Sequence, residues 1–208
     1  MPDLVGPELD GATFFAGEQP RLDGDGLSLR PWQDGDWPAV HRAYADPDIR
    51  RWHMAVLDED EARGWAEHRN ARWRHRTGVD WAIVDGGAGG PVLGRIAIRR
   101  FELNQALGEV AYWVLPEARG AGVTARALEA VCAWAFARKG LHRLELMHSA
   151  GNPASCRVAE RSGFVLEGVK RRELRHTDGW HDMHLHARLA DDPAPPRSPA
   201  RSPDTPEH

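Results

Sequence analysis

Residues 108–128 read GEVAYWVLPEARGAGVTARAL, and this stretch decides the fold. Glu109 to Leu115 is a short apolar run carrying Val110, Tyr112, Trp113, Val114 and Leu115, residue types that suit a buried strand. Pro116 ends it, because proline has no amide hydrogen to give to a ladder. Arg119-Gly120-Ala121-Gly122 then makes a tight turn. From Val123 to Lys139 the apolar residues Val123, Ala127 and Val131, with Leu128 and Ala135 beside them, recur at helical spacing. The unit is strand, glycine turn, helix.

Such a unit has a physical use. The first amides of a helix lack internal partners, and the helix dipole is positive there. Glycines let backbone approach a ligand closely. Together they form an anion cradle suited to a pyrophosphate; the plain alternative is a tight turn that contains two glycines. The spacing excludes two familiar cradles. No Lys-Ser or Lys-Thr pair follows the glycines, and Gly120 and Gly122 are followed by Ala125 where G-x-G-x-x-G needs a third glycine.

Working upstream, Asn104-Gln105 turns the chain into the central strand, and Val92–Phe101 and Val79–Asp85 are two further strands joined by the glycine loop 86–91. These form an antiparallel meander. Asp58–Arg76 reads as one long helix, acidic at its start and arginine-rich at its end, as the dipole favours. Ile49–Leu57 reads as a connecting loop. Asp34 or Asp36 caps a helix over Trp37–Tyr44, with Pro38 in its first turn. Leu27–Trp32 is the first full strand. Residues 1–26, rich in Gly, Pro and Asp, read as a partly disordered arm with a short strand near Ala12–Phe15.

Downstream, Gly140 closes the helix and Leu144–Met147 is a short strand. Asn152 caps another helix with Pro153 at its first position, and Gly163 stops it. Phe164–Glu173 and Trp180–Leu189 form a closing hairpin around Thr177-Asp178-Gly179. Residues 190–208 are a Pro-rich tail expected to be disordered. One domain over 27–189 remains.

Composition bounds the function. The chain has 208 residues, 41% hydrophobic and 28% charged, enough for one domain with a substantial core. A net charge of −4 argues against a nucleic-acid partner, despite the arginines near Arg69–Arg76. Cys132 and Cys156 have no C-x-x-C spacing, so neither a disulfide framework nor a zinc site is expected, and a reducing compartment fits. No segment approaches the ~20 apolar residues of a membrane helix, and the N-terminus does not read as a secretory signal. A cytoplasmic protein without a membrane partner is the expectation. His181, His184 and His186 lie on the last strand, two of them in one parity. No cysteine adjoins them, so a solvated strand face is expected and no metal.

Two motifs carry a resemblance to a family. Arg119-x-x-Gly122-x-Thr124 resembles the acetyl-coenzyme-A signature [Gln/Arg]-x-x-Gly-x-[Gly/Ala] of the GNAT N-acetyltransferases, with Thr124 departing at the last position. Asn152-x-x-Ser155-x-x-Val158-x-x-Arg161-x-Gly163-Phe164 resembles the second coenzyme-A motif of the RimJ/RimL-type branch, which acetylates protein N-termini and small amines. The resemblance spans roughly Leu27 to Leu189. It implies an α/β (α+β) fold: a mixed, mostly antiparallel sheet of about seven strands, splayed at the centre, with helices on both faces.

The resemblance also implies a reaction, direct transfer of an acetyl group from acetyl-coenzyme A to an amine-bearing small molecule or protein N-terminus. The implied donor contacts are the backbone of Arg119, Gly120, Ala121, Gly122, Val123 and Thr124 for the pyrophosphate and Asn152 for the pantetheine. An amide near Trp113, Val114 and Leu115 would serve the oxyanion. Ser155 is the candidate donor to the leaving sulfur. Glu109 and Glu173 are candidate bases, with a water chain as the alternative. Trp32, Trp52 and His53 are expected to wall the acceptor pocket. A non-catalytic acyl-coenzyme-A sensor, or a transferase of a longer acyl group such as succinyl, stands beside this reading, and a homodimer is compatible with it.

Overall fold

The computed structural model describes residues 8–195; the expectations for residues 1–7 and 196–208 lie outside it. Eight strands form one sheet in the order β1-β2-β3-β4-β5-β6-β8-β7. They are β1 (Leu22–Gly24), β2 (Leu27–Arg30), β3 (Val79–Asp85), β4 (Val92–Glu102), β5 (Leu107–Val114), β6 (Arg143–Ser149), β7 (Val165–His176) and β8 (Gly179–Leu189). Every neighbouring pair is antiparallel except β5–β6. The extra strand over the expected seven is β1, an edge strand inside the presumed arm.

The rest of that arm also departs from expectation. Residues 11–14 form a helical turn, α1 (Gly11–Phe14), where a strand was expected, because Asp10 accepts from the Thr13 amide and hydroxyl and so caps it. Phe14 and Phe15 are buried, edge-on to Phe101, with Phe15 also edge-on to Trp73. Two buried aromatic rings are ample reason for this segment to be fixed.

The sheet separates two cores. On one face α6 (Val123–Ala133) packs over Trp81, Ile83, Ile96, Ile98 and Val110. It continues as a π-helical turn over Trp134–Arg138. On the other face lie α2 (Trp37–Ala45), α3 (Pro47–His53), α4 (Glu59–Arg63) and α5 (Trp65–Arg74). There Trp32, Val40, Tyr44 and Trp65 pack on Ala82, Val84, Trp113 and Leu115. The period-two alternation along β3 and β5 feeds both cores, which is why these strands read as continuous apolar runs. The final helix, α7 (Pro153–Arg161), sits between β6 and β7 in the chain.

Three local expectations are corrected. The "loop" 49–57 is mostly helix: Asp46 accepts from the Ile49 amide at 2.9 Å, Pro47 takes the first position, and α3 runs on to His53. The long helix 58–76 is broken at Gly64 into α4 and α5. Asp36 does not cap α2 with its side chain. It pairs with the buried Arg30 guanidinium through two bonds of 2.7 and 2.8 Å.

Candidate active site

The site begins with a ladder that stops. Strands β5 and β6 pair over four residues, Leu107↔Arg143 to Val110↔Leu146. Beyond that, β5 continues to Val114 and β6 to Ser149 without pairing each other. The splay is therefore at the one parallel junction of the sheet. Which backbone groups face it follows from alternation. The Leu115 amide donates to the Leu93 carbonyl at 2.9 Å. Bonds of this kind recur at every second residue of an antiparallel strand. Trp113 thus also turns its amide to β4, while Tyr112 and Val114 turn theirs to the open edge.

Two helices start beside this opening. After β5 the chain makes a short 3-10 turn over Pro116–Ala118, then the glycine turn into α6. Gly120 and Gly122 both have positive φ, 77° and 71°. A Cβ at either would meet nothing within 4 Å, so the glycines serve conformation and leave open space on the turn. Gly122 caps α6 with no side-chain bond, so the first amides of α6 are not satisfied by a cap. An anion fits these free donors and this open space. Val123 and Thr124 are buried; they offer backbone, and the Thr124 hydroxyl is not an exposed phosphate contact. The Arg119 side chain turns away to Asp46 at 2.6 Å and Asp48 at 3.0 Å, tying the turn to the start of α3.

At α7, Asn152 Oδ1 accepts from the Ser155 amide at 3.2 Å. The cap consumes that oxygen, and what Asn152 can offer a ligand is its NH2. Ser155 is half-buried and lies beside Tyr112, whose buried hydroxyl has no partner of good geometry. Burial pushes the Tyr112 phenol up to about 12. In the sequence Tyr112 reads only as a strand residue, because nothing in consecutive residues places its hydroxyl beside Ser155 of α7.

The expected acceptor wall is partly displaced. Trp32 is a core residue, 3% exposed, its indole donating to Asp80 at 3.0 Å. His53 does reach the splay. His53 Nε2 donates to the Tyr112 carbonyl at 3.0 Å, and Trp52 stands edge-on to His176 and His181. His181 was expected on a solvated face. It bridges Ser149 Oγ at its Nδ1 and Asp178 Oδ1 at its Nε2, both at 2.7 Å.

Glu109 and Glu173 line one cavity of about 160 Å³, with Arg99, Arg100, Glu145 and Lys170. Glu109 is buried and paired to Arg99, with Arg100 at 3.8 Å. Glu173 pairs with Lys170 at 3.6 Å. Both carboxylates are thus together but already engaged by cations.

The remaining histidines also depart from a solvated face. His186 is fully buried and His184 half-buried, on the side of the sheet that meets α7. His148 and Cys156 join them there.

Residues 27–165 match the family model of the acetyltransferase (GNAT) domain, and the chain belongs to that family. The ribosomal-protein-serine acetyltransferase of Escherichia coli (strain K12) is 33% identical over 101 residues, covering 48% of this chain and 56% of that enzyme. The uncharacterized N-acetyltransferase YoaA of Bacillus subtilis (strain 168) is 23% identical over 81% of this chain and 96% of its own length. Among solved structures, a GNAT-family acetyltransferase from Bacillus anthracis aligns with a TM-score of 0.74 at 21% identity, over 83% of this chain and all of that one. The ribosomal alpha-N-protein acetyltransferase RimL, in complex with coenzyme A, aligns with a TM-score of 0.73 at 20% identity, over 82% and 98%. At these identities the structures speak for the fold: a mixed, mostly antiparallel open sheet with helices.

Proposed function

We propose that this chain is an acetyl-coenzyme-A-dependent N-acetyltransferase that acylates a primary amine by direct attack. The carrying observation is the open edge of β5 at Tyr112 and Val114, set beside the uncapped start of α6. The names of the relatives, a ribosomal-protein-serine acetyltransferase and an alpha-N-protein acetyltransferase, favour a protein N-terminus over a small amine.

When bound, acetyl-coenzyme A supplies an activated acetyl thioester and a thiolate leaving group. The chain's residues do the rest. Amides at Val123 to Ala125 hold the pyrophosphate. The Tyr112 and Val114 backbone pairs with the pantetheine as a strand would. Of the three amides near the expected oxyanion site, Val114 is the one aimed at the opening, and it donates to the developing oxyanion. Ser155 donates to the departing sulfur, and Asn152 offers its NH2 to the pantetheine.

The attacking amine must be neutral. Glu109 and Glu173 are the proposed proton acceptors, from the cavity they share. A second route is favoured by one observation, the bonds that fix His181 between Ser149 and Asp178. Such fixation orients an imidazole for proton transfer.

Calorimetric titration with acetyl-coenzyme A and with succinyl-coenzyme A, followed by assay against N-terminal peptides and small amines, tests this. Binding and transfer of acetyl are expected. Binding without turnover would favour the sensor reading, preference for succinyl would favour the longer donor, and no binding of either would overturn the proposal.

A further inference from the structure

On the α7 side of the sheet, four ligand-type side chains from three elements converge. His148 is on β6, His184 and His186 are on β8, and Cys156 is on α7. The register places them: His148 is directly across from His184, and Leu146 from His186. Residues two apart on a strand share a face, so the three imidazoles stand together, and α7 lays Cys156 over them.

The ligand atoms all lie within 4.8 Å of one another. Cys156 Sγ and His186 Nε2 are 3.9 Å apart. A tetrahedral zinc with bonds of about 2.0–2.3 Å sets its ligands roughly 3.3–3.8 Å apart, so small side-chain movements close the set.

The outer contacts are those a metal site needs. His148 Nδ1 donates to the Ser149 carbonyl at 2.8 Å, and His186 Nδ1 to the Phe164 carbonyl at 3.4 Å. A carbonyl only accepts, so both Nδ1 atoms carry the proton and both Nε2 atoms present lone pairs. That is the second-contact pattern that orients ligating imidazoles. His148 is 6% exposed, yet its Nε2 has no partner, and neither has the buried Nδ1 of His184. An unpartnered buried polar atom is costly, and two of them in one cluster with a thiol call for a shared partner.

We propose that His148, Cys156, His184 and His186 bind a divalent transition-metal ion of the zinc type. Three imidazoles and one thiolate are a borderline-to-soft donor set, which selects zinc over magnesium or calcium. As the metal–sulfur bond forms, the Cys156 thiol proton, now directed at Glu160, leaves to solvent. With four protein ligands the site is closed and structural. It staples α7, with Asn152 and Ser155, to β6 and β8. This proposal is independent of the acyl-transfer reading.

The test uses the full chain without a histidine tag, stripped with chelator, and cobalt(II) as probe. One equivalent is expected to bind with the absorption of a tetrahedral site and a thiolate-to-cobalt charge-transfer band. Zinc should displace it, and zinc-loaded protein should melt higher than stripped protein. Cys156→Ser should abolish the charge-transfer band, and His184→Gln should weaken cobalt binding at least tenfold. Cys132 is buried, so a thiol reagent labels Cys156 in the wild type, and zinc should block that labelling. This readout does not depend on a variant's folding. Absence of both the cobalt spectrum and the protection would overturn the proposal, as would unchanged binding in the two variants.

Discussion

His53 reaches from the last turn of α3 to the open edge of β5, donating its Nε2–H to the Tyr112 carbonyl at 3.0 Å. Burial, with a smaller contribution from the Arg95 charge, lowers its pKa from 6.5 to about 4. The folded state therefore resists a proton that the unfolded chain accepts. Stability gained by burying the neutral imidazole is complete above pH 6.5 and is lost as pH falls toward about 4, a total on the order of 3 kcal/mol, while the Tyr112 bond itself opposes the shift. Urea unfolding at pH 7.5 and pH 4.5 should show this loss in the wild type and a smaller one in His53→Gln. An equal loss in both would mean that His53 is not the group responsible.

Gly122 sits at φ 71° with open space around it. Gly122→Ala should cost about 1 kcal/mol of stability through conformation alone. It should also weaken acetyl-coenzyme A binding, by displacing the first amides of α6. Gly140 has the same φ, away from the turn, and Gly140→Ala serves as the control. It should lose similar stability while keeping its affinity in calorimetry.

Ser155 gives its amide, not its hydroxyl, to the Asn152 cap. Ser155→Ala should then leave the melting temperature nearly unchanged and lower kcat about 10²-fold, with little change in KM for the donor. Asn152→Ala should instead lose about 1 kcal/mol of stability. Steady-state kinetics beside thermal melts separate the two.

The buried Asp80 receives Arg95 at 2.8 and 2.5 Å and the Trp32 indole at 3.0 Å. Asp80→Ala leaves Arg95 charged and unpaired in a core. The expected loss is about 3–5 kcal/mol, read from denaturant midpoints. A loss under 1 kcal/mol would show that water or a rearranged neighbour replaces the carboxylate.

The proton acceptor is separable by kinetics. If Glu109 serves the amine, Glu109→Gln should depress kcat across the whole pH range with His181→Gln nearly silent. If His181 serves it, His181→Gln should depress kcat and Glu109→Gln should mainly affect stability. Equal indifference to both would point to the water chain.

Much of this was legible because it is local. The strand–turn–helix over 109–139, the Asn152 cap and the Thr177-Asp178 turn are written in consecutive residues. The start of α3 is equally local, since Asp46 both closes α2 and, with Pro47 after it, caps α3. Burial was harder. Phe14, Phe15 and Trp32 look like arm or pocket residues until distant strands cover them. The His148–Cys156–His184–His186 group was illegible for the same reason: no spacing within one segment announces residues assembled from β6, α7 and β8.

The four-pair parallel ladder between β5 and β6 has a mechanical meaning. Strands β1–β5 are one twisted plate and β6–β8 another, riveted along a seam four rungs long. On the proposed reading, a donor lying between the plates beyond the seam would act as a ninth, borrowed strand that completes the sheet. The substrate is then also a structural part, and its arrival should stiffen the plates against each other, most visibly as slowed amide exchange at Tyr112 and Val114.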